Sequence, residues 1–282
     1  MAACVAVVVG LAGCGGSPTA PSSLGATAGG SQGASAGTRP SDSATTTGTP
    51  LGATSFVAFG DSITCGITSL PLLLEPLLAT LNCPQAGGYP ELLLTRLQNT
   101  VPSVQRPLLR VLKRGQPAET AGGQGEQRLR EELGELMALP AGQRPEVLLL
   151  LMGANDMVGG GVSATRTASS VAYLADVARA YNLSVLVSSM PQTFPGLSST
   201  GFYRDNANTR IVPFNAELAR LVAAKPNVWM VDMYEGFGGT RAQELGYMGV
   251  DGLHPTDRGY QRMAEVFQAD IVRRFPVRST LQ

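Results

Sequence analysis

Five short apolar runs, each followed by a longer helical pattern, constrain the fold of this chain more than any other feature. The runs are rich in Val and Leu and apolar on both faces, as buried parallel strands are. They cover 54–59, 107–112, 146–152, 184–190 and 227–233, and helices are predicted over 88–101, 125–139, 163–182, 215–225 and 259–275. The alternation predicts an α/β fold, a doubly wound, flavodoxin-like three-layer α/β/α sandwich with a five-stranded parallel sheet.

The first 52 residues differ in composition from the rest of the chain. Met1–Cys14 is an apolar run, too short to span a bilayer, that ends in Leu-Ala-Gly-Cys, which resembles the lipobox of bacterial lipoproteins. Residues 15–52 are mainly Gly, Ser, Thr, Ala and Pro, which predicts a disordered tether. We therefore expect an exported protein anchored to a bacterial membrane by lipid on Cys14, with one folded domain over 53–282. An ordinary signal peptide with an incidental cysteine is the alternative.

Charge and histidine content exclude several classes of function. The chain has 21 basic and 21 acidic residues and no net charge, so neither nucleic acid nor an anionic membrane surface is expected as a partner. It contains a single histidine, which cannot build a zinc-type His/Cys cluster, and no metal or other cofactor is predicted. We expect a monomer that acts on a small molecule.

Reactive residue types follow two of the predicted strands. In doubly wound sheets ligands bind at the carboxyl ends of the strands. Ser62 lies in a Gly-Asp-Ser turn after the first run, where a sharp strand-to-helix turn can expose its hydroxyl. Asn155 follows the third run in Gly-Ala-Asn-Asp, where its amide can donate to an oxyanion. Taken alone, each motif is equally natural as an ordinary turn.

His254, the only histidine, lies in Asp-Gly-Leu-His-Pro just before the last predicted helix. A base that works near neutral pH is most naturally a histidine, and its second ring nitrogen must be held by an acceptor. Asp251, three residues earlier in the same loop, is placed to be that acceptor. A lone histidine is usually structural, but this aspartate and the two upstream motifs favour a catalytic base.

Together these segments resemble the SGNH hydrolases, also called GDSL esterases and lipases, over about residues 54–275. The resemblance implies that Ser62 is the nucleophile and that Asp251 and His254 are its acid and base. It implies an oxyanion hole made by the N–H of Ser62, the N–H of Ala118 and the amide of Asn155. The implied reaction is hydrolysis of a small carboxylic ester through an acyl-enzyme, without a metal.

The second block is where the chain departs from this family. Members usually carry Asn-x-Gly-x-x-Gly after the second strand, whereas residues 113–120 read KRGQPAET and put Ala118 at the donor position. An alanine keeps its N–H, so donation survives unless the turn needs a positive φ, where a Cβ costs energy. Gly115 is the nearby alternative donor.

Two further features leave alternatives open. Cys65 and Cys83 are an even pair in an exported domain, which suggests a disulfide, although two buried thiols are the alternative. The Leu-rich segment 69–81 between them either lines an acyl-binding wall or covers the sheet edge.

Two alternative functions also stay open. The same site allows acyl transfer to a sugar or other alcohol. A surface-binding lipoprotein with a vestigial site is the third reading, although a binding module has no need of Ser62, Asn155, Asp251 and His254 together.

Overall fold

A computed structural model describes residues 48–68, 82–158, 161–194 and 201–277, with backbone only at 158 and 201–208. The lipobox at Cys14, most of the predicted tether and the Leu-rich segment 69–81 lie outside the described residues. Those three predictions therefore stay predictions. No helix in the described part of the chain is both long and apolar enough to cross a membrane.

Five parallel strands form one sheet and confirm the predicted fold class. Their order is β2-β1-β3-β4-β5. The chain adds β2 on one side of β1 and then β3 on the other, so the switch point of the strand order lies between β1 and β3, where doubly wound folds place their ligands. Both of these strands are fully buried. The strands are β1 (Ser55–Gly60), β2 (Arg110–Gly115), β3 (Val147–Leu151), β4 (Ser184–Ser188) and β5 (Val228–Val231).

Helices cover both faces of the sheet. Helix α2 packs on α8, whereas α5 packs on both α3 and α6, which gives the two outer layers. The α-helices are α1 (Ser62–Cys65), α2 (Tyr89–Thr100), α3 (Gln124–Ala138), α4 (Ala154–Val158), α5 (Ala164–Ala180), α6 (Gly201–Val222), α7 (Met233–Gly236) and α8 (Asp257–Arg274). Single 3₁₀ turns lie at Arg106–Leu108, Ala141–Gln143 and Gly239–Arg241.

Two predicted elements differ from the structure by more than two residues at their ends. The second strand was predicted over 107–112, but Pro107 has no N–H for a ladder and lies in a 3₁₀ turn, so β2 begins at Arg110. It is also a half-buried edge strand, not one apolar on both faces. The helix predicted over 215–225 begins at Gly201 and passes through Pro213. Its buried face includes Ile211, Phe214, Leu218 and Val222, which follow helical spacing on both sides of the proline.

Residues 49–52, at the end of the predicted tether, contact the rest of the described domain. The Thr49 N–H donates to the Thr100 carbonyl at 2.9 Å. Leu51 is buried, and its N–H donates to Oε1 of Gln105 at 2.9 Å. Leu51 also forms an isolated antiparallel bridge with Pro276. The end of the predicted tether is thus attached to the domain by main-chain hydrogen bonds and by one buried leucine.

Candidate active site

The Gly-Asp-Ser turn joins β1 to the four-residue helix α1. Gly60 ends β1, and a Cβ at this position would lie 2.2 Å from both the Leu151 carbonyl oxygen and Oγ1 of Thr64, so only glycine fits the close approach. Asp61 then caps α1, because its Oδ1 accepts a hydrogen bond from the Ile63 N–H at 3.0 Å. This cap places Ser62 at the first position of the helix, where its backbone N–H has no partner within the helix.

The single histidine meets this serine in space, although they are 192 residues apart. Nε2 of His254 lies 2.9 Å from Oγ of Ser62, and Nδ1 lies 2.7 Å from Oδ2 of Asp251. All three residues are buried. A carboxylate at Nδ1 holds the proton on that nitrogen and leaves Nε2 free to accept the serine proton. The structure therefore brings together the nucleophile, base and acid that the sequence motifs predict.

Asp251 is held ionised and oriented by its own loop. Burial of the carboxyl raises its pKa. The hydrogen bond and charge of His254 lower it, and so do the backbone N–H groups of Leu253 and His254. Together they outweigh burial and bring the pKa down to about 2. Both N–H groups donate to Oδ1 at 2.9 Å. Oδ2 is then directed at the ring, so one carboxylate fixes both the loop and the imidazole.

Main-chain hydrogen bonds hold the loop between α7 and α8. The Phe194 N–H, from the segment after β4, donates to the Gly252 carbonyl at 2.8 Å. The Gly249 N–H donates to the His254 carbonyl at 2.9 Å, and Oγ1 of Thr256 accepts from the Gly259 N–H at 3.0 Å to cap α8. These bonds connect the imidazole-bearing loop to the sheet and to the last helix.

Ala118 lies in a tight turn formed by Gln116, Pro117, Ala118 and Glu119. The Glu119 N–H donates to the Gln116 carbonyl at 3.3 Å, which closes a four-residue turn. Pro117 stands at its second position and Ala118, with φ of 60°, at its third. This is the pattern of a type II turn, whose third position favours glycine. The turn does need a positive φ, and the Cβ costs about 1–2 kcal/mol there.

Gly115, the alternative donor, is the last residue of β2 and pairs with Gly60. A Cβ on Gly115 would lie 2.2 Å from the Cys65 backbone nitrogen. The glycine therefore allows helix α1, which carries Ser62, to pack against the edge strand. Ala118, not Gly115, occupies the turn.

Asn155, which follows β3, contacts the turn that carries Ala118. Gly153, with φ of 117°, turns the chain out of β3 into α4. Nδ2 of Asn155 then donates to the Glu119 carbonyl at 2.8 Å. The next side chain also contributes, because Oδ2 of Asp156 accepts from the Ala121 N–H at 2.8 Å. The two side chains that follow β3 thus hold the segment that carries Ala118.

A comparison with known families agrees with this geometry. Residues 58–262 match the model of the GDSL-like Lipase/Acylhydrolase family. The chain belongs to this family. Membership supports a hydrolytic enzyme that acts on esters. No curated protein matches the chain in sequence.

Solved structures of GDSL-like and other esterases share the fold. A G-D-S-L lipolytic protein of Veillonella parvula is 19% identical, with 78% of this chain and 98% of that chain covered at a TM-score of 0.56. An aryl esterase of M. smegmatis is 15% identical, with coverage of 78% and 98% and a TM-score of 0.57. A carbohydrate acetylesterase of Sinorhizobium meliloti is 16% identical, with coverage of 79% and 100% and a TM-score of 0.56.

Two residues of this GDSL-like site were not selected from the sequence. Glu119 is buried and pairs with Arg128, whose guanidinium lies 3.9 Å from the centroid of the Phe59 ring. In the sequence Arg128 is one of several charged residues on an amphipathic helix. The one available signal is that Glu119 directly follows the predicted donor, Ala118. Nothing in helical spacing indicates that a loop residue nine positions earlier is the partner of Arg128.

The carboxyl of Asp61, next to Ser62 in the chain, is fully buried. Burial raises its pKa to about 7, against the opposing effect of the Ile63 N–H. The nearby charges of Asp156 and Glu119 raise the pKa further, while Arg128 lowers it. Its Oδ2 is buried and has no hydrogen-bond partner among the described residues. The Asp of the Gly-Asp-Ser turn is therefore readily protonated near neutral pH.

Cys65, the last residue of α1, forms a disulfide with Cys83. The Cα atoms are 5.1 Å apart, which is within the usual range for this bond. Of the two alternatives that the sequence left open, the structure therefore has the disulfide. It links the helix that carries Ser62 to the segment that precedes α2.

A groove of about 320 Å³ borders the Ala118 turn. Its walls are formed by Gln116, Pro117, Ala118, Glu119 and Gln124. Within the described part of the chain, no group of three or more His, Cys, Asp or Glu side chains is arranged to hold a metal ion. That the site works without a metal or other cofactor stays a prediction from the sequence.

Proposed function

We propose that this chain is a serine esterase that cleaves carboxylic esters through an acyl-enzyme on Ser62. The observation that carries the proposal is the continuous hydrogen-bonded series from Ser62 through His254 to Asp251, with distances of 2.9 and 2.7 Å. A nucleophile bonded to a base that is itself oriented by a third group is the arrangement that acyl transfer requires.

In the first half-reaction Oγ of Ser62 attacks the ester carbonyl carbon while Nε2 of His254 takes its proton. The tetrahedral adduct then expels the alcohol, which receives that proton from Nε2, and an acyl group remains on Ser62. Water then attacks the acyl carbon while Nε2 takes a proton from it. The second adduct expels Oγ of Ser62, which receives that proton from Nε2, and the acid is released. Asp251 stays ionised throughout and stabilises the imidazolium.

The negative oxygen of each tetrahedral adduct needs donors that are already in place. The Ser62 N–H at the start of α1 and the Ala118 N–H in its turn are two proposed donors. The third is Asn155, whose amide has two hydrogens, of which one is used by the Glu119 carbonyl. One such donor is commonly worth about a hundredfold or more in rate.

The groove beside the Ala118 turn supports a preference for small or polar ester groups. Gln116 and Gln124 bring amide groups to its walls, and its volume of about 320 Å³ lies at the lower end of ligand sites. We propose that one portion of the ester occupies this groove. Hydrolysis rates on p-nitrophenyl esters from acetate to palmitate, compared with rates on acetylated sugars, show which ester groups the enzyme prefers.

For the cellular location we propose anchoring through lipid on Cys14, which ends an apolar run and precedes a Gly/Ser-rich segment. Intact-mass analysis of the membrane fraction should show a mature chain that begins at Cys14 and carries acyl chains. Cys14→Ser should release the protein or block its maturation. A wild-type protein recovered as soluble with another N-terminus contradicts the proposal.

The mechanism is tested with a fluorophosphonate probe. The protein should be labelled once, at Ser62, and Ser62→Ala should lose both labelling and turnover. Ser169→Ala, at an exposed serine of α5, is the matched control and should behave as wild type. Labelling elsewhere with turnover intact in Ser62→Ala rules out this nucleophile. Adding acceptor alcohols to the same assay measures transfer against hydrolysis.

A further inference from the structure

The side chain of Arg128, on α3, joins two separate segments of the active site. Its Nε and Nη2 atoms donate to the two carboxylate oxygens of Glu119 at 2.7 and 2.5 Å. The same Nη2 donates to the Gly60 carbonyl at 3.1 Å, two residues before Ser62. One guanidinium therefore contacts both the strand end that leads to the nucleophile and the residue that follows Ala118.

The surroundings of this pair restrict how it can move. The guanidinium stacks on the ring of Phe59, and its Nη1 donates to Oε1 of Glu132 at 2.7 Å. Only 5% of the Glu119 side chain and 18% of the Arg128 side chain are exposed. A planar fork that serves several acceptors at fixed angles is a property of arginine that lysine lacks. The pair is thus unlike the exposed ion pairs of the same helix, such as Arg130 with Glu126.

Glu119 transmits this restraint to the turn through its main chain. Its N–H closes the turn onto Gln116, and its carbonyl accepts from Nδ2 of Asn155. The Gln116 N–H in turn donates to the Gly60 carbonyl at 3.0 Å, the same oxygen that Arg128 contacts. Glu119 is therefore held from its side chain, its N–H and its carbonyl at once.

The turn needs such a restraint because of Ala118. An alanine at φ of 60° does not favour that conformation by itself and persists there only where its surroundings determine it. Among the described residues, the two other non-glycine positions with positive φ are asparagines, which tolerate it better. At this position the sequence supplies neither glycine nor asparagine.

We propose that the Glu119–Arg128 ion pair is a positioning unit that keeps Ala118 in its left-handed turn, so that the Ala118 N–H is aimed at the oxyanion. The inference rests on the proposed esterase function and adds two residues to it. Neither residue takes part in bond making; both act through the orientation of the Ala118 amide and of the Asn155 amide bonded to Glu119.

The first test compares Arg128→Lys and Glu119→Gln with Arg130→Lys, a control on the same helix. With p-nitrophenyl acetate, both variants of the pair should lose about tenfold or more in kcat with KM within about twofold, since a transition-state donor is misplaced. Arg130→Lys should match the wild type. Unchanged kcat in either folded variant, or a rise in KM alone, overturns the proposal. Glu119→Gln keeps the side-chain shape and serves if Arg128→Lys does not fold.

The second test separates positioning from general stability. Glycine adopts the left-handed conformation without a restraint, so adding Ala118→Gly to Arg128→Lys should restore about threefold or more of the lost kcat. A merely structural role for the pair predicts no such restoration.

A third readout needs no turnover. Amide hydrogen exchange over 116–121 should accelerate in Arg128→Lys and stay unchanged in Arg130→Lys. If the wild type neither hydrolyses esters nor reacts with the fluorophosphonate, the proposed function fails, while exchange still decides the positioning role. If the wild type is active and exchange in Arg128→Lys is unaltered, only the positioning role fails.

Discussion

The side-chain amide of Asn155 donates to the carbonyl oxygen of Glu119 at 2.8 Å and so connects the loop after β3 with the turn after β2. The two loops supply two of the three proposed oxyanion donors. Because one hydrogen of the amide is used by Glu119, the orientation of the other hydrogen is fixed by the protein before a substrate binds. Preorganised donors of this kind are the ones that contribute most to the rate.

Asn155→Ala should therefore lower kcat by about 100- to 1,000-fold and leave KM nearly unchanged. The loss has two sources, because the variant removes a donor and also releases the Glu119 carbonyl. Steady-state kinetics on p-nitrophenyl acetate provide the measurement. A larger KM at unchanged kcat would show that Asn155 binds the ground state instead.

Asp251→Asn should be milder than His254→Ala. The asparagine amide can donate a hydrogen bond to Nδ1, whereas the carboxylate only accepts one, so the ring is held in the wrong tautomer and kcat should fall by about 10⁴-fold. Loss of the imidazole should cost about 10⁶-fold, because the base itself is gone. Single-turnover acylation rates check both values. Near-wild-type acylation in His254→Ala would require another base.

Much of this site follows from local sequence patterns. The Gly-Asp-Ser turn and Asn155 lie in short motifs at the carboxyl ends of β1 and β3, and the sheet topology brings these strand ends together. The Asp251/His254 pair lies in a short motif just before α8. The spacing of Asp251 and His254 within one loop also indicates their contact. The second block departs from the family pattern, and in the structure its alanine occupies a positive-φ position that favours glycine.

Other features depend on tertiary contacts that no short pattern carries. The Glu119–Arg128 pair joins a loop to a helix face, and helical periodicity describes Arg128 only as a charged residue. The helix predicted over 215–225 starts after Pro213, whereas α6 passes through this proline, because burial of Phe214 and Leu218 outweighs one lost hydrogen bond. The attachment of Leu51 likewise depends on Pro276, at the far end of the chain.

Ala118→Gly should raise the free energy of unfolding by up to about 1 kcal/mol. Removing the Cβ relieves about 1–2 kcal/mol of strain at positive φ, and the greater freedom of glycine in the unfolded chain offsets part of that gain. Urea unfolding at constant m-value is the measurement. Ala121→Gly, three residues later at a position without positive φ, is the control and should destabilise the protein. If both variants lose the same free energy of unfolding, the turn is not strained.

Asp61 should make stability depend on pH in the direction opposite to an ordinary paired carboxylate. Its pKa is raised from 3.8 to about 7 in the folded protein, so between these values the folded state keeps a proton that the unfolded chain releases. Stability should therefore fall as pH rises from about 4 to 7 and level off above that. Asp251, with its pKa lowered to about 2, has the opposite effect and contributes stability that is lost only below about pH 4.

The variant Asp61→Asn separates the two effects, because its side chain stays uncharged at every pH and keeps an oxygen to cap the Ile63 N–H. Relative to the wild type it should gain on the order of 4 kcal/mol between pH 4 and pH 8, as an upper bound. Urea midpoints at several pH values in a Ser62→Ala background measure the difference without any effect of turnover. If the urea midpoints of the Asp61→Asn variant and its parent change in parallel with pH, the carboxyl is already ionised in the folded state across this pH range.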